Sequence, residues 1–330
     1  MNLEELRISV AMCTYNGARF LSEQLESIAA QTRLPDELVI CDDLSSDETL
    51  EIVGAFARRA PFLVRTEVNE KNLGSTKNFE KAISLCGEEV IALADQDDVW
   101  KPQKLRVLER TLREHPDAGY VFSDAEMLDE RGVSTARHLW ESLGLREPFP
   151  GDFTDSKQFN VLLQRTVVTG ATMAVRSSLK SFILPFSQHL VHDYWSSLLA
   201  SCVGAYGVPI SEPLIQYRQH ASQQVGIGGG MSLLEKVRWA RQGAVAQNRR
   251  NALGLQDVRN RLLLATTDGR ICPSERLRSV EDKLAHCSRR VAAHSAHGVA
   301  RIRSVFAESL TGRYGRFSNS WQSILEDLCF

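Results

Sequence analysis

The first hundred residues alternate between short apolar runs and longer segments whose apolar positions recur with the period of a helix. The runs cover residues 7–13, 37–41, 62–68 and 90–94. Each has the length of a buried strand, and a helical pattern follows each one. Strands that alternate with helices in this way form mostly parallel sheets with right-handed crossovers. The sequence therefore predicts an α/β fold built around such a sheet.

The fourth run ends in three carboxylates, Asp95, Asp97 and Asp98, before Lys101 and Pro102 open a helical pattern. Open α/β sheets bind ligands outside the carboxyl ends of their strands. Carboxylates this close repel one another unless a cation joins them, and Mg²⁺ and Mn²⁺ are held by carboxylates together with substrate phosphates. The stretch predicts a metal and phosphate site. The alternative is a solvated acidic turn with Asp98 as a helix N-cap.

Two other strand ends are polar as well. Thr14 and Asn16 follow the first run, and Asp42 and Asp43 follow the second. Because parallel strands end at one edge of a sheet, these side chains predict a pocket there. The turn after the first run has one glycine, and the chain has no Gly-Lys-Ser/Thr phosphate loop. These two features argue against dinucleotide-dependent oxidoreductases and P-loop ATPases.

Composition and charge point to a soluble protein with two regions. At 330 residues, with 43% hydrophobic and 24% charged, the chain can bury a large core. No apolar stretch approaches the length that spans a bilayer, and the first residues are acidic, so we expect a cytoplasmic protein. From residue 231 onward, 17 Lys and Arg stand against 9 Asp and Glu. We therefore expect residues 1–228 to form the catalytic domain and residues 229–330 a basic helical region.

Further strands are predicted at residues 118–127, 167–175 and 212–217, with an apolar helix opening at His192 and Asp193. The helical region carries recurrent basic residues beside apolar ones: Arg238, Arg241, Arg249, Arg250, Arg289, Arg290, Arg301 and Arg303. One hypothesis is that these helices rest on anionic lipid at the inner face of the membrane. The alternatives are a solvated face and an oligomer contact. Nucleic acid is a poor partner for an acidic catalytic region.

A set of ordered motifs carries a family resemblance. They are Thr14-Tyr15-Asn16-Gly17, Cys41-Asp42-Asp43-Leu44-Ser45-Ser46-Asp47, Asn72-Leu73-Gly74, Asp95-Gln96-Asp97-Asp98-Val99-Trp100, Val168-Thr169-Gly170-Ala171-Thr172 and His192-Asp193-Tyr194-Trp195. Over roughly residues 7–225 the chain resembles a family 2 glycosyltransferase of the GT-A fold, in particular the bacterial rhamnosyltransferase-like subgroup. The resemblance implies that fold for the catalytic domain, followed by a helical extension.

The resemblance also implies roles for individual residues. Asp97 is the expected metal ligand, with Asp95 reaching the ribose or the metal and His220 as a further ligand; the metal is Mg²⁺ or Mn²⁺. The expected donor-binding residues are Thr14, Asn16, Asp42, Asp43, Asn72, Gly74, Lys77, Asp95 and Arg218. Asp193 is the expected catalytic base, and His192 stands where the family often has Glu. Arg218 or His220 is expected to contact diphosphate or metal when a glycine-containing loop, residues 217–230, closes.

The implied reaction is an inverting, metal-dependent sugar transfer. The expected donor is a nucleoside-diphosphate sugar, with a preference for dTDP-L-rhamnose. The expected acceptor is a saccharide or a lipid-linked saccharide of a bacterial surface polysaccharide. Three alternatives stay open: a UDP-hexose donor, a sugar-nucleotidyltransferase, and a non-catalytic scaffold of the same fold.

Overall fold

The computed structural model describes residues 5–145, 155–221, 223, 233–265 and 270–329. In these residues the strands are β1 (Ile8–Thr14), β2 (Glu37–Asp42), β3 (Leu63–Val68), β4 (Val90–Ala94), β5 (Val99–Trp100), β6 (Tyr120–Leu128), β7 (Ser134–His138), β8 (Met173–Arg176) and β9 (Gly207–Arg218). The helices are α1 (Ala18–Ala29), α2 (Thr49–Ala57), α3 (Ser75–Leu85), α4 (Lys104–Glu114), α5 (Leu139–Ser142), α6 (Asp155–Gln164), α7 (Lys180–Ile183), α8 (His192–Cys202), α9 (Leu233–Ala265), α10 (Ser274–Ser295), α11 (Val299–Ser309), α12 (Arg313–Phe317) and α13 (Trp321–Cys329).

The strands form one mixed sheet in the order β3-β2-β1-β4-β8-β6-β9-β5, with β7 paired to β6. The first four strands in this order are parallel, and β8 runs antiparallel between β4 and β6. The predicted alternation of strands and helices is confirmed in the parallel part. Its central strands β1, β2 and β4 are completely buried, which explains why they appear in the sequence as unbroken apolar runs.

The strand predicted at residues 167–175 is shorter than expected. Residues Gly170–Thr172 form a 3₁₀ turn, and β8 begins only at Met173. The backbone N–H and the hydroxyl of Thr172 both donate to the carbonyl of Thr169, at 3.0 and 2.9 Å. Because of these local hydrogen bonds, the residues form a turn and do not pair with a neighbouring strand.

The C-terminal helices pack on the sheet region through a shared core. Leu255, Val258 and Leu262 of α9 belong to the same buried apolar cluster as the central strands. The helical region begins with one long helix, α9 (Leu233–Ala265). No described helix is both long enough and apolar enough to cross a membrane. The expected boundary at residues 228 and 229 lies outside the described residues.

Several basic residues of the C-terminal region bind groups within the chain. Arg290 is buried and binds both carboxylate oxygens of Asp327, at 2.7 and 2.8 Å. Arg289 pairs with Glu308 over 2.8 Å, and Arg301 donates to backbone carbonyls. The side chains of residues 238 and 241 lie outside those described.

Candidate active site

The carboxyl ends of β1, β2 and β4 meet at one edge of the sheet. In the parallel register, Thr14 lies beside Asp42, and Asp95 directly follows β4. The hydroxyl of Thr14 donates to the carboxylate of Asp42 over 2.7 Å. The polar strand ends identified in the sequence therefore share one region of the fold.

Asp42 is completely buried and already holds three donors. Besides Thr14, the backbone N–H and the hydroxyl of Ser45 donate to it, at 2.8 and 2.6 Å. A carboxylate offers about four acceptor positions. A nucleoside that bonds Asp42 therefore uses the remaining position or displaces Ser45.

Asp43 fixes the loop that carries two other predicted donor-binding residues. Its carboxylate accepts the backbone N–H groups of Leu73 and Gly74, at 2.7 and 2.8 Å, and the side-chain amide of Asn69. The amide of Asn72 donates to the carbonyl of Asp43. Gly74 has φ of +78°, a conformation that favours glycine. In this structure Asp43, Asn72 and Gly74 thus shape the loop through contacts within the chain.

The loop after β1 is tied to the acidic stretch after β4. The backbone N–H of Tyr15 donates to the side chain of Gln96 over 2.8 Å, and the Gln96 amide returns a bond to the Tyr15 carbonyl at 3.0 Å. Asn16 is exposed and accepts the backbone N–H of Ser46 from the β2–α2 loop. Gln96 and Asn16 therefore hold three loops together around the strand ends.

Asp95, Asp97 and Asp98 form the centre of the acidic region. The Oδ2 atom of Asp97 lies 2.7 Å from Nε2 of His220, which follows β9. Burial, together with the charges of Asp97 and Asp193, raises the pKa of Asp95 to about 7. The structure therefore brings the three predicted metal ligands and the predicted base into one electrostatic neighbourhood.

Asp98 is not a helix N-cap, contrary to the alternative interpretation of this stretch. Helix α4 begins at Lys104, after Gln103 as its N-cap. Asp98 is buried, and its Oδ1 accepts the backbone N–H of Arg218 over 3.1 Å. Burial and the neighbouring Asp97 raise the pKa of Asp98 well above its ordinary value. Its role is to anchor the end of β9 beneath the acidic region.

Two basic residues expected to bind the donor, Arg218 and Lys77, have partners within the chain. Arg218 is 3% exposed, and its guanidinium donates to the carbonyl of Asp97 at 3.0 Å and to Glu23 at 2.6 Å. Lys77 pairs with Glu80 one turn along α3, at 2.7 Å. Each of these side chains must therefore rearrange before it can contact a diphosphate. The glycines at 226 and 228–230 lie outside the described residues.

Asp193 lies in the first turn of α8, partly exposed. One carboxylate oxygen accepts the backbone N–H of Gly170 over 2.9 Å, and the other accepts that of Tyr194 over 2.6 Å. These two bonds hold the carboxylate in place, within electrostatic range of Asp95. The hydrogen-bond partners of Asp193 are thus the backbone N–H groups of Gly170 and Tyr194.

His192, the residue before Asp193, is buried, and its ring stacks on Phe79 with centroids 4.2 Å apart. Among the described residues, neither of its ring nitrogens has a hydrogen-bond partner. Burial lowers the pKa of His192, so the neutral ring predominates near pH 7. A Cβ atom at Gly170 would lie 2.6 Å from Nε2 of His192, which explains the glycine. His192 and Gly170 therefore allow the turn to approach Asp193.

Sequence reasoning missed Lys104, a completely buried cation below the acidic region. Its Nζ donates to the carbonyl of Ala171 over 2.7 Å and lies 3.6 Å from the centroid of the Trp100 ring. Burial lowers the pKa of Lys104 to about 7, against the opposing influence of Asp98 and Asp95. Lys104 thus connects the acidic region to the turn that holds Asp193. The signal in the sequence was a lysine at an apolar-facing position of α4.

The carboxylates and the imidazole of this region suit a hard divalent cation. Carboxylate oxygen and imidazole nitrogen are ligands for Mn²⁺, and one or two carboxylates with substrate phosphates suffice for Mg²⁺. Asp97 and His220 already converge, and Asp95 lies in the same acidic neighbourhood. Within the described part of the chain, no three His, Cys, Asp or Glu side chains lie close enough together to bind one metal ion. A cation here would therefore depend on substrate oxygens as well.

We expect Asp95→Asn to change the pH dependence of stability. The folded chain keeps a proton on Asp95 up to about pH 7, whereas the unfolded chain releases it near pH 4. The contribution of the Asp95 carboxyl to the free energy of unfolding is fully present below about pH 4. It is lost as the pH rises through about 7. The free energy of unfolding of Asp95→Asn, relative to wild type, should therefore rise by on the order of 2 kcal/mol between about pH 5 and 7.5. Urea unfolding with a chelator measures it.

The matched control for this measurement is Asp117→Asn, which changes an exposed aspartate on the α4–β6 connection. Its stability relative to wild type should stay constant across the same range. An equal pH dependence in both variants would show that Asp95 does not hold its proton in the folded chain.

Comparison with known sequences identifies relatives of the chain. The family model described as Glycosyl transferase family 2 matches residues 9–179, just over half of the chain. An uncharacterized protein of Mycobacterium tuberculosis is 27% identical over 216 residues, which cover 65% of this chain and 59% of that protein. The dTDP-rhamnosyl transferase RfbG of Shigella flexneri is 35% identical over 99 residues, which cover 29% of this chain and 34% of RfbG. The chain thus spans less than two thirds of the length of these relatives.

Solved structures show a similar fold. TarS of S. aureus in complex with UDP-GlcNAc superposes with a TM-score of 0.55 at 16% identity, covering 94% of this chain and 93% of the TarS chain. The mannosyltransferase PcManGT from Pyrobaculum calidifontis, in complex with GDP-Man and Mn²⁺, gives a TM-score of 0.51 at 16% identity, covering 98% and 86%. The GT-A fold expected from the sequence is confirmed.

Proposed function

We propose that this chain, which belongs to glycosyl transferase family 2, is an inverting, divalent-metal-dependent glycosyltransferase. It moves a sugar from a nucleoside-diphosphate donor to a hydroxyl of a saccharide or lipid-linked acceptor in bacterial surface polysaccharide synthesis. The observation that carries this proposal is the position of Asp193. Two backbone N–H groups fix its carboxylate, whose charge acts on Asp95 of the acidic region.

The proposed reaction is a single displacement in which Asp193 is the general base. Its carboxylate accepts the proton of the acceptor hydroxyl as that oxygen bonds to the anomeric carbon. The bond from the anomeric carbon to the diphosphate breaks on the opposite face, so the anomeric centre inverts. No second carboxylate nucleophile is needed, unlike the paired carboxylates of retaining hydrolases.

The residues proposed to hold the metal are Asp97, Asp95 and His220. When bound, a divalent cation offsets the charge that develops on the leaving diphosphate. Asp97 and His220 supply an oxygen and a nitrogen that already lie 2.7 Å apart. The solved PcManGT complex, which contains GDP-Man and Mn²⁺, supports a metal in a protein of this fold.

The proposed donor is dTDP-L-rhamnose. The similarity to a dTDP-rhamnosyl transferase over 99 residues supports this choice. The second candidate is a UDP-hexose, supported by the TarS complex with UDP-GlcNAc. In this proposal the nucleoside lies near Thr14, Asn16 and Asp42.

The structure also bears on the nucleotidyltransferase alternative. Such enzymes need a basic loop for a triphosphate, and the basic residue beside the β1–α1 loop is Arg19. Its guanidinium pairs with Glu130. A single, exposed arginine does not make a basic triphosphate loop, which favours sugar transfer.

The test is the thermal stability of the chain with UDP, dTDP, GDP or ADP, with and without Mn²⁺. A ligand at about a hundred times its dissociation constant should add roughly 2.7 kcal/mol to the free energy of unfolding. We expect the largest shift with dTDP and Mn²⁺ together, since the diphosphate completes the metal site. Asp97→Ala should abolish the Mn²⁺-dependent part.

Asp117→Ala serves as the matched control and should respond as wild type does. A larger shift with UDP would replace the rhamnose donor with a UDP-hexose. The absence of a shift with any nucleotide would overturn the proposed donor site and favour the scaffold alternative.

A further inference from the structure

Two C-terminal helices, α11 and α13, expose apolar rows. On α11, Val299, Ile302, Phe306 and Leu310, which ends the helix, are each more than half exposed. On α13 the exposed apolar residues are Trp321, Leu325 and Leu328. Both rows follow helical spacing, so each lies along one side of its helix. We call these seven residues the C-terminal apolar face.

The inward sides of the same helices combine a small apolar contact with buried charged groups: Val305 of α11 is buried with Ala293 and Tyr314, and Ile324 of α13 packs against them. Glu308 of α11 is 2% exposed and Asp327 of α13 is completely buried. Glu308 accepts from His286 at 2.8 Å, and Asp327 binds Arg290 and His294. These charged groups satisfy one another against α10. Turning either helix over to bury its apolar row would separate these pairs.

The charges that remain outside are mostly positive. Arg303 lies among the exposed residues of α11, and Arg316 and Arg289 are about half exposed, paired with Asp282 and Glu308 respectively. The acidic residues Glu308 and Asp327 of the two helices point inward, while Glu326 lies 3.6 Å from Arg290. The partly exposed carboxylates of this region, Asp282 and Glu326, each lie 3.6 Å from an arginine, so positive charge predominates around the apolar face.

We propose that the C-terminal apolar face docks on an anionic lipid surface. Apolar and aromatic side chains enter the acyl boundary, while the outer arginines meet lipid phosphates. Exposed apolar patches of this kind mark interaction sites, and the charge pattern selects an anionic surface over a neutral one. Docking places the enzyme where a lipid-linked acceptor resides. That consequence depends on the proposed function, but the docking itself does not depend on a donor or acceptor.

The test is flotation of the full chain with vesicles, without any nucleotide or sugar. We expect the protein to float with vesicles that mix phosphatidylcholine and phosphatidylglycerol, and to float poorly with phosphatidylcholine alone. The double variant Phe306→Ser, Trp321→Ser should lose the binding by about tenfold or more, since each side chain contributes a large apolar area. Arg303→Ser should weaken it about fivefold.

The control is the double variant Leu63→Ser, Val133→Ser, which removes equally exposed apolar residues from the sheet region. It should float as wild type does. Circular dichroism and thermal midpoints check that both double variants stay folded. Sedimentation in the same buffer asks whether the face joins two copies of the chain.

Two results would overturn the proposal. One is a wild-type protein that does not float with anionic vesicles. The other is a dimer that the Phe306 and Trp321 substitutions dissociate while vesicle binding is unchanged. The nucleotide stability assay is separate, so failure of the donor proposal leaves this test intact.

Discussion

Asp193→Asn is expected to lower kcat by about 10²–10⁴-fold while leaving nucleotide binding nearly unchanged. The asparagine keeps the size of the side chain, and its carbonyl oxygen can still accept the N–H of Gly170. It has no charge with which to take the acceptor proton. The loss should therefore fall on the chemical step. The measurement is release of nucleoside diphosphate from the donor, with water in place of the acceptor where no acceptor is known.

Two controls separate a lost base from a damaged fold. Asp117→Asn should keep wild-type turnover. The stability shift of Asp193→Asn with nucleotide and Mn²⁺ should match that of wild type, since Asp193 is not a proposed ligand of either. Turnover close to wild type would show that another group is the base. A lost nucleotide shift would place Asp193 in the donor site.

The strand ends of the parallel sheet could be predicted because local sequence determines them. Thr14, Asp42 and Asp95 each follow a run of apolar residues, and the parallel register then places them at one edge. Asp193 was identified by its motif at the start of an apolar helix. None of these predictions required knowledge of contacts between distant segments.

The residues that escaped prediction depend on such contacts. Asp98 resembles a helix N-cap in sequence, but its partner is the backbone of Arg218, 120 residues later. Arg290 resembles a surface cation on a basic helix, but it is buried against Asp327 of α13. In each case a charged side chain is satisfied by a group that only the folded chain brings near.

Lys104 also escaped prediction because its partners are distant in the sequence. Its substitution has the largest expected effect on stability. Lys104→Met should destabilise the chain by about 3 kcal/mol, because the buried ammonium compensates the acidic region and donates to the carbonyl of Ala171. Methionine has a similar length and removes only the charge and the hydrogen bond. Urea unfolding at neutral pH measures the loss.

A lower kcat should accompany the lost stability. The carbonyl of Ala171 belongs to the turn whose Gly170 N–H fixes Asp193, so a loosened turn misplaces the base. We expect kcat to fall about tenfold, since small displacements of a catalytic group are costly. Lys180→Met is the matched control. It also removes a lysine that donates to backbone carbonyls, those of Ser84 and Cys86, and it should keep wild-type kcat.

A double-mutant cycle with Asp98→Asn identifies the cause of the destabilisation. If Lys104 compensates Asp98, the double variant should be more stable than the sum of the single losses predicts, by about 1–2 kcal/mol. The reason is that Lys104→Met leaves a buried carboxylate without its cation, and Asp98→Asn removes that carboxylate's charge. Strictly additive losses would show that the two groups do not interact. The contribution of Lys104 would then come from its bond to Ala171 and its contact with Trp100.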